Sequence, residues 1–191
     1  MKVFSIPLNP KLEEKDYYKF LDFLKEYKDY IYDVYFTTRI APFDQDAMGD
    51  VFASSNDSSF LIQAALHIQN EIGIPISATF NNIDVRPSQQ NLDLWIKNYQ
   101  PLYDAGVYNC TLPHTHWMKT DQVKKAFPKL FVKNTILRQV TEARDVANLA
   151  EAGFDYVNLD RVLMRDHDRI KEIAKVKEKY NILKIKTFSN F

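Results

Sequence analysis

Two histidines one residue apart, His114-Thr-His116, follow the apolar run Val107 to Leu112 across a single proline. Side chains at i and i+2 of an extended segment point to one side, so this pair could share a metal ion. A zinc site wants three or four protein donors, so Asp84 or Asp160 would have to join the histidines. Four arginines, Arg39, Arg86, Arg138 and Arg161, each follow a different apolar run. Their guanidinium forks suit carboxylates and phosphates, and a convergence of them would take a small anionic ligand or a nucleic-acid backbone. Thr38, Asn81 and Asn82 add hydrogen-bonding groups at similar positions. Asp84, Asp160 and His114 are the candidates for general acid–base work. Each residue alone serves equally well as a loop hydrogen bond, a helix cap or an exposed ion pair, so the hypothesis depends on what brings them together.

The elements that must do so alternate along the chain. Lys2 to Leu8 reads as a strand, Leu12 to Tyr27 as an amphipathic helix, and Ile31 to Thr37 as a second strand rich in β-branched and aromatic residues. Arg39 to Ser59 carries Asp44, Asp46 and Gly49 without periodicity and reads as a long loop. Beyond it the spacing predicts helix Phe60 to Glu71, strand Ile74 to Phe80, helix Asn91 to Asp104 and strand Val107 to Leu112. Helix Asp121 to Phe127, strand Lys129 to Ile136, helix Thr141 to Ala152, strand Phe154 to Leu159, helix Asp166 to Tyr180 and strand Ile182 to Phe188 complete the series. Gly73, Gly106 and Gly153 each stand between a helix and the next strand, a repeated turn that favours a parallel sheet.

Such a sheet is either open and doubly wound or closed as a barrel. No G-x-G-x-x-G or Walker-type loop follows the first strand, which disfavours the nucleotide-binding open sheet and favours a TIM-like β/α barrel. With about seven strands the barrel is expected to lack its last β/α unit. Residues 1–191 then form one domain, in which either Lys2 to Leu8 pairs with Ile182 to Phe188 in a reduced barrel or, the favoured expectation, a gap remains for a second copy in a homo-oligomer, or for a C-terminal segment of a longer protein, to fill.

Composition narrows the partners. Hydrophobic residues make up 46% and aromatics 14%, enough for one buried core. Lysine plus arginine equals aspartate plus glutamate at 25 each, so the whole chain does not attract polyanions. A single cysteine, Cys110, rules out an internal disulfide, a Cys-rich zinc site and an iron–sulfur ligand set within this chain, and reads as a small buried hydrophobe. No signal peptide is legible, and no run approaches the roughly 18 apolar residues of a membrane span, so a cytoplasmic protein is expected. His67 and His167 read as structural. The aromatic residues of Asp16 to Phe23 and Lys28 to Phe36 read as core rather than as a base-stacking platform.

The segments Gly73-Ile-Pro-Ile-Ser-Ala-Thr-Phe-Asn-Asn82, Ala105-Gly106-Val107, Phe127-Pro128-Lys129-Leu130 and Glu151-Ala-Gly-Phe-Asp-Tyr-Val-Asn-Leu-Asp-Arg161 carry a resemblance through their order and spacing. Together they resemble the collagenase-like peptidase family of unassigned catalytic type, peptidase family U32, over most of the chain. The resemblance implies a TIM-like barrel with a peptidase-like activity, or a relation to proteins that bind an iron–sulfur cluster and hydroxylate RNA or ubiquinone precursors. The family's cluster-binding cysteines lie outside the matched region, so neither cluster nor proteolysis transfers to residues here.

Three functions follow as expectations. The first is an enzyme, or a truncated relative of one, with an anionic-ligand site at the C-terminal ends of the strands. The second is a non-catalytic binding or scaffold protein that kept the barrel. The third is a metal-dependent hydrolase or lyase built on His114 and His116.

Overall fold

The computed structural model describes residues 4–9, 14–38, 40–43, 58–180, 182 and 184–186. Seven strands form one sheet in sequence order: β1 (Phe4–Pro7), β2 (Ile31–Thr37), β3 (Ile76–Thr79), β4 (Asn109–Leu112), β5 (Phe131–Asn134), β6 (Tyr156–Asn158) and β7 (Lys184–Lys186). Every neighbouring pair is parallel. The helices are α1 (Glu14–Glu26), α2 (Ser58–Ile72), α3 (Gln89–Asp104), α4 (Thr115–Lys119), α5 (Gln122–Ala126), α6 (Ala143–Glu151) and α7 (His167–Lys179). The β/α alternation expected from the sequence is therefore present. The strands β3 to β6 are shorter than expected by one or two residues at an end, whereas α2 and α3 each begin two residues earlier.

Helix α3 shows how the outer layer forms. Its buried residues Leu92, Trp95, Tyr99 and Leu102 recur at three- and four-residue spacing, one face of a 3.6-residue period. Ser88 starts it by accepting a hydrogen bond from the Asn91 N–H. The buried face sets Trp95 against Tyr99, with ring centroids 5.0 Å apart, and both rings meet Phe80 and Phe127. Gly106 and Gly153 turn the chain from helix to strand at φ +90° and +91°, a region that residues with a Cβ enter only under strain.

Strand alternation separates two faces. Val34, Phe36, Ile76, Ala78, Cys110, Leu112 and Val132 are almost wholly buried and form part of the core beneath the helices. The alternate positions carry Asp33, Tyr35, Thr37, Ser77, Thr79, Asn109, Thr111 and Lys133. Contacts on this second face join strands that are not neighbours. Lys133 of β5 meets Asp33 of β2, and Tyr32, which precedes Asp33 where the β1–β2 register shifts and strict alternation breaks, lies edge-on to Tyr156 of β6 with centroids 5.8 Å apart. Such contacts require the sheet to curl, so the second face lines a concave lumen. The structure is an incomplete β/α barrel. No ladder between β1 and β7 is formed among the described residues.

Candidate functional site at the strand ends

Because all strands run in parallel, their C-terminal ends share one rim, and the βα connections that follow gather there. The residues singled out from the sequence take different places on it. Arg39, Asp44, Asp46 and Gly49 lie outside the described residues. Thr38, beyond β2, is buried and donates its hydroxyl to the Thr79 carbonyl at 3.3 Å. Asn81, beyond β3, is 8% exposed. Asn82 donates to the Pro42 carbonyl at 2.8 Å, and its side-chain oxygen accepts from the Asp84 N–H at 3.0 Å, which fixes the turn after β3. Asp84 and Arg86 are exposed on that turn.

The His114/His116 pair needs a correction. Helix α4 begins at Thr115, so the extended geometry that would aim both rings at one ion is absent. His114 is 2% exposed and packs edge-on against Trp117 at 4.4 Å between centroids, whereas His116 is exposed on α4. Among the described residues no group of three or more His, Cys, Asp or Glu side chains could hold a metal ion. His114 instead stands as a neutral imidazole: burial, and then the neighbouring Arg138 guanidinium, hold its pKa down at about 4. Its Nε2 is buried and makes no hydrogen bond among the described residues.

Arg138 follows β5 on a 3-10 turn, Ile136–Arg138, and donates from Nε to the Pro113 carbonyl at 2.9 Å, which ties it to the end of β4 beside His114. Asp160, beyond β6, caps the next 3-10 turn by accepting from the Val162 N–H at 2.9 Å. Arg161 follows it and reaches the vicinity of Tyr35 on β2. The Tyr35 phenol is held up by burial and then by the Asp33 carboxylate, while the Arg161 charge works against both. His114 and Arg138 are thus brought together, and Arg161 is brought to β2. Asp84 and Arg86 are carried, exposed, by the turn after β3.

Two functional candidates went unnoticed in the sequence. Lys133 is the second-last residue of β5 and is 4% exposed; its ammonium donates to Asp33 at 2.5 Å, and Asp33 is fully buried. In the ladder register Thr37, Thr79, Thr111 and Lys133 follow one another from β2 to β5. Ser77 lies one inward position deeper on β3, its hydroxyl buried and without a hydrogen bond among the described residues. The signal available was a lysine inside Leu130-Phe-Val-Lys-Asn134 and an aspartate inside Ile31-Tyr-Asp-Val34, charges in otherwise strand-like runs. Their partnership, 100 residues apart, had no local mark.

No known family profile matches this chain, and no curated protein matches its sequence. Solved structures do share its fold. The U32 peptidase Mk0906 is similar at TM-score 0.61 and 10% identity, over 92% of this chain and 65% of that one. A dipeptide epimerase from Enterococcus faecalis V583 is similar at TM-score 0.59 and 16% identity, over 98% of this chain and 48% of that one. An HpcH/HpaI aldolase from Desulfitobacterium hafniense DCB-2 is similar at TM-score 0.57 and 11% identity, over 99% and 79% respectively. These likenesses define the class: a TIM-barrel-like β/α protein whose relation to U32 peptidases holds at the level of the fold. The chain spans 65% and 48% of the length of the first two structures. Among the described residues no helix is long and apolar enough to cross a membrane.

Proposed function

We propose that this chain forms the barrel of an enzyme, or of a close relative of one, that binds a small anionic ligand at the C-terminal rim of the sheet. The observation that carries this reading is the polar lumen beneath that rim. Barrels of this class ordinarily fill their interior with branched apolar side chains, yet here Thr79, Thr111, Ser77, Asp33 and Lys133 occupy inward positions and are buried. Burying polar groups costs free energy unless they are paired, and a ligand-binding role accounts for their retention. Arg138 and Arg161 supply the charge for an oxyanion, Asn81 and Asn82 the neighbouring amides, and neutral His114 a hydrogen-bonding nitrogen that does not repel the guanidinium beside it. Asp160 and Asp84 are assigned the lesser role of shaping the turns that carry these groups. The fold-level likeness to a peptidase, an epimerase and an aldolase supports a catalytic rather than a scaffolding history.

Calorimetric titration with inorganic phosphate and with pyruvate tests the reading. Saturable binding of at least one anion is expected, weakened about tenfold or more in Arg138→Ala and in Arg161→Ala. Equal binding in wild type and both variants would remove the anion-binding rim.

A further inference from the structure

The Lys133–Asp33 pair is the most deeply buried charge pair among the described residues, with side-chain exposures of 5% and 0%. Its placement distinguishes it from an ordinary strut. The Lys133 backbone stands one residue before the end of β5, next to the rim, and the side chain crosses the lumen towards β2. Tyr35 is the next inward residue of β2 after Asp33, and its half-buried phenol feels both the Asp33 carboxylate and the Arg161 guanidinium. The pair as a unit has no net charge, so it does not itself attract an anion. It offers an amine with a base, the Asp33 carboxylate, at hydrogen-bonding distance to take its proton, the nucleophile-and-base contact that covalent catalysis requires.

We propose that Lys133 forms an imine with a small carbonyl compound bearing an anionic group, such as a 2-oxo acid. This rests on the anion-binding rim proposed above, which would hold the anionic group while the carbonyl carbon enters the lumen. The step balances without an oxidant or reductant. Asp33 accepts one proton from the Lys133 ammonium, and the freed amine adds to the carbonyl carbon as the carbon–oxygen π pair moves to oxygen. One further proton passes from nitrogen to that oxygen, giving a carbinolamine. Asp33 then returns its proton to the hydroxyl, which leaves as water while the nitrogen lone pair closes the C=N bond. The result is a protonated imine and one water. The positive nitrogen then withdraws electrons from the adjacent carbon, which opens the carbonyl compound to proton abstraction or carbon–carbon bond cleavage.

The test uses the wild-type chain, so it does not depend on a variant folding. The protein is incubated with pyruvate and sodium cyanoborohydride, which reduces an imine to a stable secondary amine, and is then digested and mapped by mass spectrometry. The expected result is preferential modification of Lys133 over every surface lysine, although Lys133 is the more buried. Even labelling of surface lysines with Lys133 spared would overturn the proposal. Acetaldehyde, an uncharged carbonyl probe, separates the two readings. Lys133 should take acetaldehyde equally in wild type and Arg138→Gln, whereas pyruvate labelling should fall about tenfold in the variant. Pyruvate labelling of Lys133 that is indifferent to Arg138→Gln would uphold the reactive lysine and remove that arginine from the rim. Saturable pyruvate binding without any Lys133 adduct would uphold the rim and overturn the lysine.

Discussion

Asp33 and Lys133 are buried together, and the cost of removing one differs from the cost of removing both. Lys133→Met leaves a carboxylate in the lumen without the ammonium that compensates it, and a loss of about 3–5 kcal/mol of unfolding free energy is expected. Lys133→Met combined with Asp33→Leu removes both charges and should lose less than the sum of the single losses. Urea unfolding of the four proteins measures this; additive losses would show that the two groups do not stabilise one another. His114 carries a second residue-scale consequence. Its folded pKa of about 4 lies below its ordinary value of 6.5, so the unfolded chain binds the extra proton first. The stability that this neutral imidazole allows is full above pH 6.5 and is lost as the pH falls towards 4. His114→Gln should flatten that dependence, as read from urea midpoints at pH 7 and pH 4.5, while an unchanged slope would place the acid sensitivity elsewhere. Neither the Lys133 pairing nor the burial of His114 was legible in the sequence. Both depend on which side of the sheet a residue faces and on what stands across the lumen.

At the scale of elements the sequence was more informative, because turns and periods are local. The glycines between helix and strand announced the parallel order, and their left-handed φ angles explain why. The two at 106 and 153 allow a clean comparison. A Cβ at Gly153 would meet only the end of the Met118 side chain at 3.9 Å, whereas one at Gly106 would stand 3.1 Å from the Gln69 amide nitrogen. Gly153→Ala should therefore cost about 1–2 kcal/mol from backbone strain alone, and Gly106→Ala somewhat more. Thermal unfolding of the two variants checks the order, and a neutral Gly153→Ala would contradict the strained-turn account. Helix α4 was missed. The i, i+2 spacing of the two histidines suggested an extended segment, but Trp117 and Met118 are buried, and a single helical turn carries both into the core. The aromatic residues of Asp16 to Phe23 and Lys28 to Phe36 were read as core, and only some are: Phe36 is buried, whereas Tyr18, Phe23 and Tyr30 are exposed.

For the whole molecule, composition and alternation pointed to a single β/α unit series with balanced charge, and the described residues form one continuous parallel sheet. What composition could not convey was the character of the lumen, since threonine, serine and lysine raise no alarm in short strands until alternation is combined with curl. We propose that the working surface is this polar lumen and the rim above it. A shallow groove where α6 and α7 begin, lined by Thr141, Glu142, Arg144, Arg169 and Glu172, is the natural competitor for an anion. Its arginines stand beside carboxylates, Arg169 at 3.2 Å from Asp166 and Arg144 at 4.0 Å from Glu142. Titration of isotope-labelled protein with pyruvate, followed by NMR, tests the claim most directly. Saturable shifts concentrated on Thr79, Thr111, Lys133 and Arg138 are the predicted result, and shifts confined to Thr141, Arg144 and Arg169, or no saturation anywhere, would contradict it.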